Sequence, residues 1–185
     1  MSSIFEKHSH CSYCGHAFPS HAPWPRRCAH CGNMSFRNPL PVAVMLVPAA
    51  GGLVVIRRGI EPAKGLLALP GGYINLGESW QQAAARELFE ETGIRVCAEE
   101  ITEFGVRSAE DGTLLVFGLT PPLAATDLPP FTPTDETTER LILTEPQELA
   151  FGLHLEMVRR FFDRCSAVHA DRSPSTRSAC ATESR

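Results

Sequence analysis

Between Gly72 and Ile94 the chain passes from a glycine loop directly into a helical stretch that crowds carboxylates onto one face, and few folds accommodate that combination. The segment reads Gly72-Tyr-Ile-Asn-Leu-Gly-Glu78-Ser-Trp-Gln-Gln-Ala-Ala-Ala-Arg86-Glu87-Leu88-Phe-Glu90-Glu91-Thr-Gly93-Ile94. Ser79 is placed to cap a helix over Trp80 to Thr92 and Gly93 to stop it. Trp80, Ala84 and Leu88 recur every four residues and make the stripe that such a helix would bury. Glu87, Glu90 and Glu91 stand at i, i+3 and i+4, so the three carboxylates share a face and repel by roughly a few tenths of a kcal/mol per pair. An ordinary solvated acidic face would explain the spacing. So would a site: the glycine loop, Gly71 and Gly72 included, lets backbone approach a substrate, and carboxylates are hard oxygen ligands suited to Mg²⁺ or Mn²⁺. Such ions bridge protein carboxylates to substrate phosphates and acidify water. Arg86 can pair with Glu90 one turn on, or with Glu78 in the loop, and so orient the ligands; the other reading is a surface salt bridge of little worth.

Around this segment the chain falls into three zones: residues 1–36, a core-bearing stretch over 37–165, and a tail over 166–185. The first is rich in Cys, His, Pro and Ser and almost free of aliphatic residues, so it needs a staple to fold. The tail is mostly Ser, Ala, Thr and Arg without periodicity and reads as disordered. In the middle zone, Val42–Val47 and Leu53–Ile56 are β-rich runs separated by a Pro-Ala-Ala-Gly-Gly hairpin signal, and Leu66–Leu69 is a short apolar run stopped by Pro70-Gly71-Gly72. After the helix, Arg95–Ala98, Phe104–Arg107 and Leu114–Leu119 read as strands, the last two split by an Asp111-Gly112 turn. A Pro-rich acidic stretch follows from Pro121 to Glu139, then a short strand at Leu141–Leu143 and an amphipathic helix over Leu153 to Arg164. Strands, helix, strands, helix is the order of a mixed α/β sheet with helices packed on its faces.

The staple is written in Cys11-x-x-Cys14 and Cys28-x-x-Cys31, each followed by a glycine, Gly15 and Gly32. Four thiolates in two such turns suit tetrahedral Zn²⁺, and the closed shell makes the site structural. Free thiols or a disulfide pair are the plainer alternatives, and His16, His21 and His30 are possible substitute ligands. Cys97, Cys165 and Cys180 have no partner at metal spacing. Seven cysteines with four in tight pairs fit a reduced compartment better than a disulfide framework. With no apolar run of about 18–20 residues and a polar stretch from Met1 to His10 that lacks a signal-peptide core, the expected location is the cytoplasm, away from membranes. The net charge of −4 argues against nucleic acid as the main partner.

At every fixed position, Gly72, Glu78, Arg86, Glu87, Leu88, Glu90, Glu91, Gly93 and Ile94, the segment resembles the Nudix box, G-x5-E-x7-R-E-U-x-E-E-x-G-U with U aliphatic. That resemblance implies an α/β/α sandwich with a mixed sheet, here preceded by a small zinc ribbon. It implies a metal-dependent hydrolase of nucleoside diphosphates linked to another moiety, with Glu87, Glu90 and Glu91 as metal ligands and Glu78 a supporting carboxylate. A four-cysteine ribbon before such a domain resembles two groups. One, the NADH pyrophosphatases, carries Ser-Gln-Pro-Trp-Pro-Phe-Pro after the box; here Glu145-Pro146-Gln147 is nothing like it. The other, related to FAD and ADP-ribose pyrophosphatases, shows Glu-x-x-Glu before a strand and a later Leu-Ala-Phe. This chain has Glu136-Thr-Thr-Glu139, then Leu141–Leu143 and Leu149-Ala150-Phe151. The signature of coenzyme-A-type enzymes upstream of the box is missing.

The chain offers no convincing nucleophile–base pair for covalent chemistry, so the expected reaction is attack of activated water on a pyrophosphate, driven by electrostatics and positioning. Glu91, Glu136 or Glu139 would serve as general base. Arg57 and Arg58, at a strand end before Gly59, would contact substrate phosphate or else be surface charges. Tyr73, Phe104, Phe117 and Phe131 are aromatic positions for stacking a base, although an aromatic in a strand is more often core. The small-molecule partner is a nucleotide such as FAD or ADP-ribose, with NADH or a nucleoside triphosphate as alternatives, and a homodimer is one assembly to consider. A different class of function is a nucleotide-sensing regulator whose ribbon touches nucleic acid through Arg26 and Arg27. Sensors would be expected to lose box carboxylates, and all four are kept.

Overall fold

Residues 43–47 are all buried, which a strand achieves only when both of its faces are covered. In the computed structural model, which describes residues 7–171, this strand lies between two helices. The chain divides into two compact units, Met1–Leu40 and Pro41–Arg185. The first contains β1 (Arg26–Arg27) and β2 (Met34–Ser35), an antiparallel pair. The second is built from β3 (Leu40–Leu46), β4 (Pro48–Ala49), β5 (Gly52–Arg58), β6 (Leu67–Ala68), β7 (Gly71–Tyr73), α1 (Trp80–Thr92), β8 (Thr102–Ser108), β9 (Thr113–Leu119), β10 (Thr137–Leu143) and α2 (Gly152–Asp171).

One sheet has the order β7-β3-β9-β8; the other joins β10, β5 and β4, with β6 also on β5. Odd and even residues of β3 go to opposite cores. Ala43, Met45 and Val47 pack with Val54 and with Ala83, Ala84 and Leu88 of α1, whereas Val44 and Leu46 pack with Leu53, Val55, Phe117 and with Met157 and Val158 of α2. The result is an α/β/α sandwich with a mixed sheet, as the resemblance implied, its parallel component seen in the Ala49–Leu123 bridge. Among the described residues no helix is long and apolar enough to cross a membrane.

Helix α1 has the limits its sequence dictates. The Ser79 hydroxyl accepts the Gln82 N–H at 3.2 Å, the Gln82 side chain accepts the Ser79 N–H at 2.8 Å, and Gly93 ends the helix at φ 75°. Three expectations need correction. The hairpin at residues 48–52 forms, β4 pairing with the start of β5, but β3 joins the other sheet, so the turn hands the chain from one sheet to the next. Arg95–Ala98 is not a strand: Val96 packs onto the α1-side core, and its alternation records burial without a pairing partner, followed by a 3₁₀ turn at Ala98–Glu100. The disordered tail drawn from residue 166 starts inside α2, which runs to Asp171; residues 172–185 lie outside the described residues. Phe104 and Phe117, weighed as base-stacking positions, are core.

Candidate active site

Arg86 is the hub of the acidic face. Its Nε and Nη2 donate to the two oxygens of Glu78 at 2.7 and 3.0 Å, Nη1 to Glu87 at 2.7 Å and Glu90 at 3.2 Å, and Nη2 also to the Tyr73 carbonyl at 3.0 Å. Both partners expected from spacing are engaged, and Glu87 besides. This two-pronged grip holds the Glu78 carboxyl down to about pKa 2, helped by the Asn75 N–H. Glu87 behaves differently: burial pushes its pKa up despite Arg86.

Glu91 is tied elsewhere. Its Oε2 accepts the Gly71 N–H at 2.8 Å, yet burial raises its pKa to about 8; the Gly71 bond and Arg58 oppose this, and Glu87 and Glu136 add to it. The glycines explain how loop and helix come so close. A side chain on Gly72 would collide with the Glu87 carboxylate, and one on Gly71, at φ 154°, with the Ala43 carbonyl and Val44. The space they leave is filled by protein.

Glu87, Glu90 and Glu91 line one cleft of about 310 Å³ with Thr134, Asp135 and Glu136. The opposite wall is fixed through Gly59, whose N–H donates to the Glu136 carbonyl at 2.7 Å, and through the Thr134 hydroxyl, which accepts the Thr137 N–H at 3.0 Å. A register shift between Thr137 and Glu139 in the β10–β5 ladder separates Glu136, before the strand, from Glu139 within it. Glu136 faces the cleft. Glu139 stands opposite Arg57 and accepts its Nε–H at 2.7 Å, with the Arg57 side chain partly and that of Glu139 about half exposed. Arg57 also donates to the Gly65 carbonyl at 2.9 Å, and Arg58 to that of Pro62 at 2.7 Å while lying over Phe151.

Some contributors escaped the sequence reading. Asp135 and Thr134 are cleft residues that the acidic loop composition could have flagged. Arg140 of β10 donates to the Thr92 and Pro129 carbonyls at 2.7 and 2.6 Å, binding the end of α1 to the loop leading to the cleft; nothing local in sequence marks it.

In the first unit, Cys11, Cys14, Cys28 and Cys31 place their sulfurs within 4.8 Å of one another. The turns are alike: Gly15 and Gly32 sit at φ 72° and 75° and donate to the Cys11 and Cys28 carbonyls. The Cys11–Cys31 and Cys14–Cys28 sulfurs are 3.7 and 3.6 Å apart, close to the edge of about 3.8 Å that a ZnS₄ tetrahedron with bonds near 2.3 Å requires. The Tyr13 N–H foremost lowers the Cys11 pKa to about 6. For Cys14 the His16 N–H pulls down, but burial and the neighbouring sulfurs prevail and raise it to about 12. The donor set fits zinc. Arg26 is folded onto Trp24 at 4.5 Å and bonds the Ala22 carbonyl at 2.7 Å, which leaves little of it for a nucleic-acid patch.

A sequence model of the NUDIX domain matches residues 37–162. The NAD-capped RNA hydrolase NudC of Edwardsiella ictaluri is 32% identical over 99 residues, 52% of this chain and 37% of that protein. Its namesake from Salmonella typhi is 29% identical over 97 residues, with the same coverage. The chain thus spans little more than a third of the curated relatives it matches. A NUDIX hydrolase structure from Nitrosomonas europaea superposes with a TM-score of 0.67 at 25% identity, covering 86% of this chain and 93% of that one. The NUDIX domain of Shewanella oneidensis NrtR, solved with ADP ribose, shares the fold with a TM-score of 0.58 at 19% identity, covering 70% and 90%.

Proposed function

The chain belongs to the Nudix family, and from that premise we propose that this hydrolase splits the pyrophosphate of a nucleoside diphosphate linked to a second moiety, of the ADP-ribose or FAD kind. One observation carries the reading: carboxylates from α1 and from the loop before β10 line a single cleft, with the helix set held in place by Arg86 and Gly71.

Five acidic side chains line so small a cleft, with Arg86 pairing two of them, and their oxygens suit Mg²⁺ or Mn²⁺. Glu87, Glu90 and Glu91 would hold the ion and Glu78 would support it. When bound, the ion supplies Lewis-acid polarisation of the phosphoryl oxygens and lowers the pKa of water. Arg86 holds Glu87 and Glu90 in a fixed geometry, so that little reorganisation is needed during reaction. The oxygen of Glu91 that Gly71 leaves unengaged accepts the proton of the attacking water. Glu136, across the cleft, is the second base to test, and Glu139, paired with Arg57, is the weakest of the three. Arg58, whose charge is felt at Glu91, is the better placed of the two strand-end arginines to meet substrate phosphate. Zn²⁺ at the four cysteines is structural.

A second reading takes its support from the similarity to NAD-capped RNA hydrolases over about half of this chain: the linked moiety would be nicotinamide ribotide, free or on an RNA end. The deciding experiment is incubation of the purified chain with FAD, ADP-ribose, NADH, NAD-capped RNA and a set of nucleoside triphosphates in Mg²⁺ or Mn²⁺, with products resolved by chromatography. Mononucleotide release from ADP-ribose or FAD at the highest kcat/KM supports the first reading. Preference for a nicotinamide substrate transfers it to the second, and triphosphates alone would sink both.

A further inference from the structure

Behind the loop that carries Gly71, one backbone donor has an unusual partner. Pro70 has no N–H, and that of Gly71 is engaged by Glu91, so the Leu69 N–H is the last donor available to anchor the turn from the β6 side. Leu69 is buried, and a buried N–H must find an acceptor. Among the described strands β6 pairs with β5 alone. Its other edge is met by the start of α2 and the residues just before it: the Ala150 N–H donates to the Leu67 carbonyl at 2.7 Å, and the Leu69 N–H donates to His154 Nδ1 at 3.2 Å. A ring nitrogen stands where a neighbouring strand would put a carbonyl.

His154 is built for that task. It is buried and meets the rings of Phe151 and Phe117 edge-on at 4.9 and 5.9 Å. Burial and the Arg58 charge keep the imidazole neutral, with a pKa near 3, so Nδ1 keeps its lone pair and the proton resides on Nε2. On the sheet side, the Met45 N–H holds the Pro70 carbonyl at 2.8 Å. The turn is therefore gripped from two sides, one residue before the amide that fixes Glu91.

We infer that His154 is a positioning residue for hydrolysis: by accepting the Leu69 N–H it sets the Pro70-Gly71 turn, and through the Gly71 N–H the orientation of Glu91. The inference rests on the proposed role of Glu91, and the test separates the two. Full-length His154→Phe, which keeps a ring but no acceptor, is compared with His154→Asn, whose amide oxygen restores one, for thermal midpoint, kcat and KM with saturating Mg²⁺, and Mn²⁺ affinity by electron paramagnetic resonance. For His154→Phe, kcat falls about tenfold, as a small misplacement of a reacting group allows, with KM little changed and Mn²⁺ bound several-fold more weakly. His154→Asn recovers most of both without matching the wild-type midpoint. Wild-type kcat and Mn²⁺ affinity in His154→Phe, or losses that merely follow the midpoint in both variants, would overturn it. If His154→Phe does not fold, amide NMR of His154→Asn decides: Leu69 and Gly71 resonances shift together under the inference, and movement of Leu69 alone defeats it. If the wild type hydrolyses no substrate, the functional reading fails, and the Mn²⁺ and NMR arms still judge the positioning role.

Discussion

In the cysteine cluster four sulfurs converge within 4.8 Å, and the groups that reach them are backbone N–H donors and the Asn33 amide. In the acidic cleft Arg86 reaches three carboxylates and a glycine amide holds a fourth; among the described residues, only the cysteines gather their ligand atoms that tightly. The sulfurs sit at the spacing of a finished tetrahedron in a unit with little apolar core, so metal and fold go together there. The carboxylates belong to a domain whose two apolar cores stand without them. Their separation leaves room for substrate oxygens. One arrangement closes around an ion, the other keeps positions open.

The largest effect that could break this contrast is metal removal from the cysteines. Apparent binding energies of structural zinc are on the order of 10 kcal/mol, so chelation, or Cys28→Ser, should collapse the amide dispersion of residues 7–36. The midpoint of the unit beginning at Pro41 should change little. A cysteine unit that keeps its NMR dispersion after chelation, with zinc absent by elemental analysis, would show that it does not need the ion. Next in size is Glu91→Gln. Losing a general base costs typically about 10²–10⁴ in rate, so kcat at saturating Mg²⁺ should fall within that range while the fold persists. Intact turnover would remove Glu91 from the mechanism and shift attention to Glu136.

The helix and the cysteine turns were readable because their determinants are local: Ser79 at the start, Gly93 at the stop, Cys-x-x-Cys-Gly twice. Burial on both faces of β3 was also implicit in its unbroken apolar run. The hidden part is what depends on register and long-range pairing. A one-residue slip near Thr138 decides that Glu136 enters the cleft and Glu139 does not, although Glu-x-x-Glu gives no hint of it. Val96 alternates like a strand residue with no strand beside it. His154 meets Leu69 across 85 positions, and a lone histidine in an amphipathic helix carries no mark of that contact.

A smaller effect sharpens the comparison through pH. In the metal-free domain Glu91 keeps its proton to about pH 8, whereas the unfolded chain releases it near 4.5, so its contribution makes stability fall as pH rises across that window. His154 works at the other end: the unfolded side chain takes up a proton below about 6.5 and the folded one only near 3, so stability also falls as pH drops through that range. Glu78, held low by Arg86, loses its contribution between 4.5 and about 2. Because a cation favours ionised Glu91, the rise in thermal midpoint on adding Mg²⁺ should grow from pH 5.5 to pH 8. A gain independent of pH would mean that Glu91 does not sense the ion.

The smallest effect is expected at Glu139, and it tests whether the register shift separates bystander from site. Its pair with Arg57 is solvent-exposed, and exposed pairs contribute about 0–1 kcal/mol. Glu139→Gln should therefore alter stability by less than about 1 kcal/mol and leave kcat/KM and the Mg²⁺ dependence close to wild type. Glu136→Gln, three residues earlier, removes a cleft carboxylate and should weaken metal-dependent turnover. The pair is informative because the two glutamates stand three residues apart with the same chemistry, one just before β10 and one within it, so a difference must come from where the bulge sends each side chain. Equal losses from the two substitutions would mean that the loop rearranges on substrate binding to bring Glu139 inward, at the expense of its bond to Arg57.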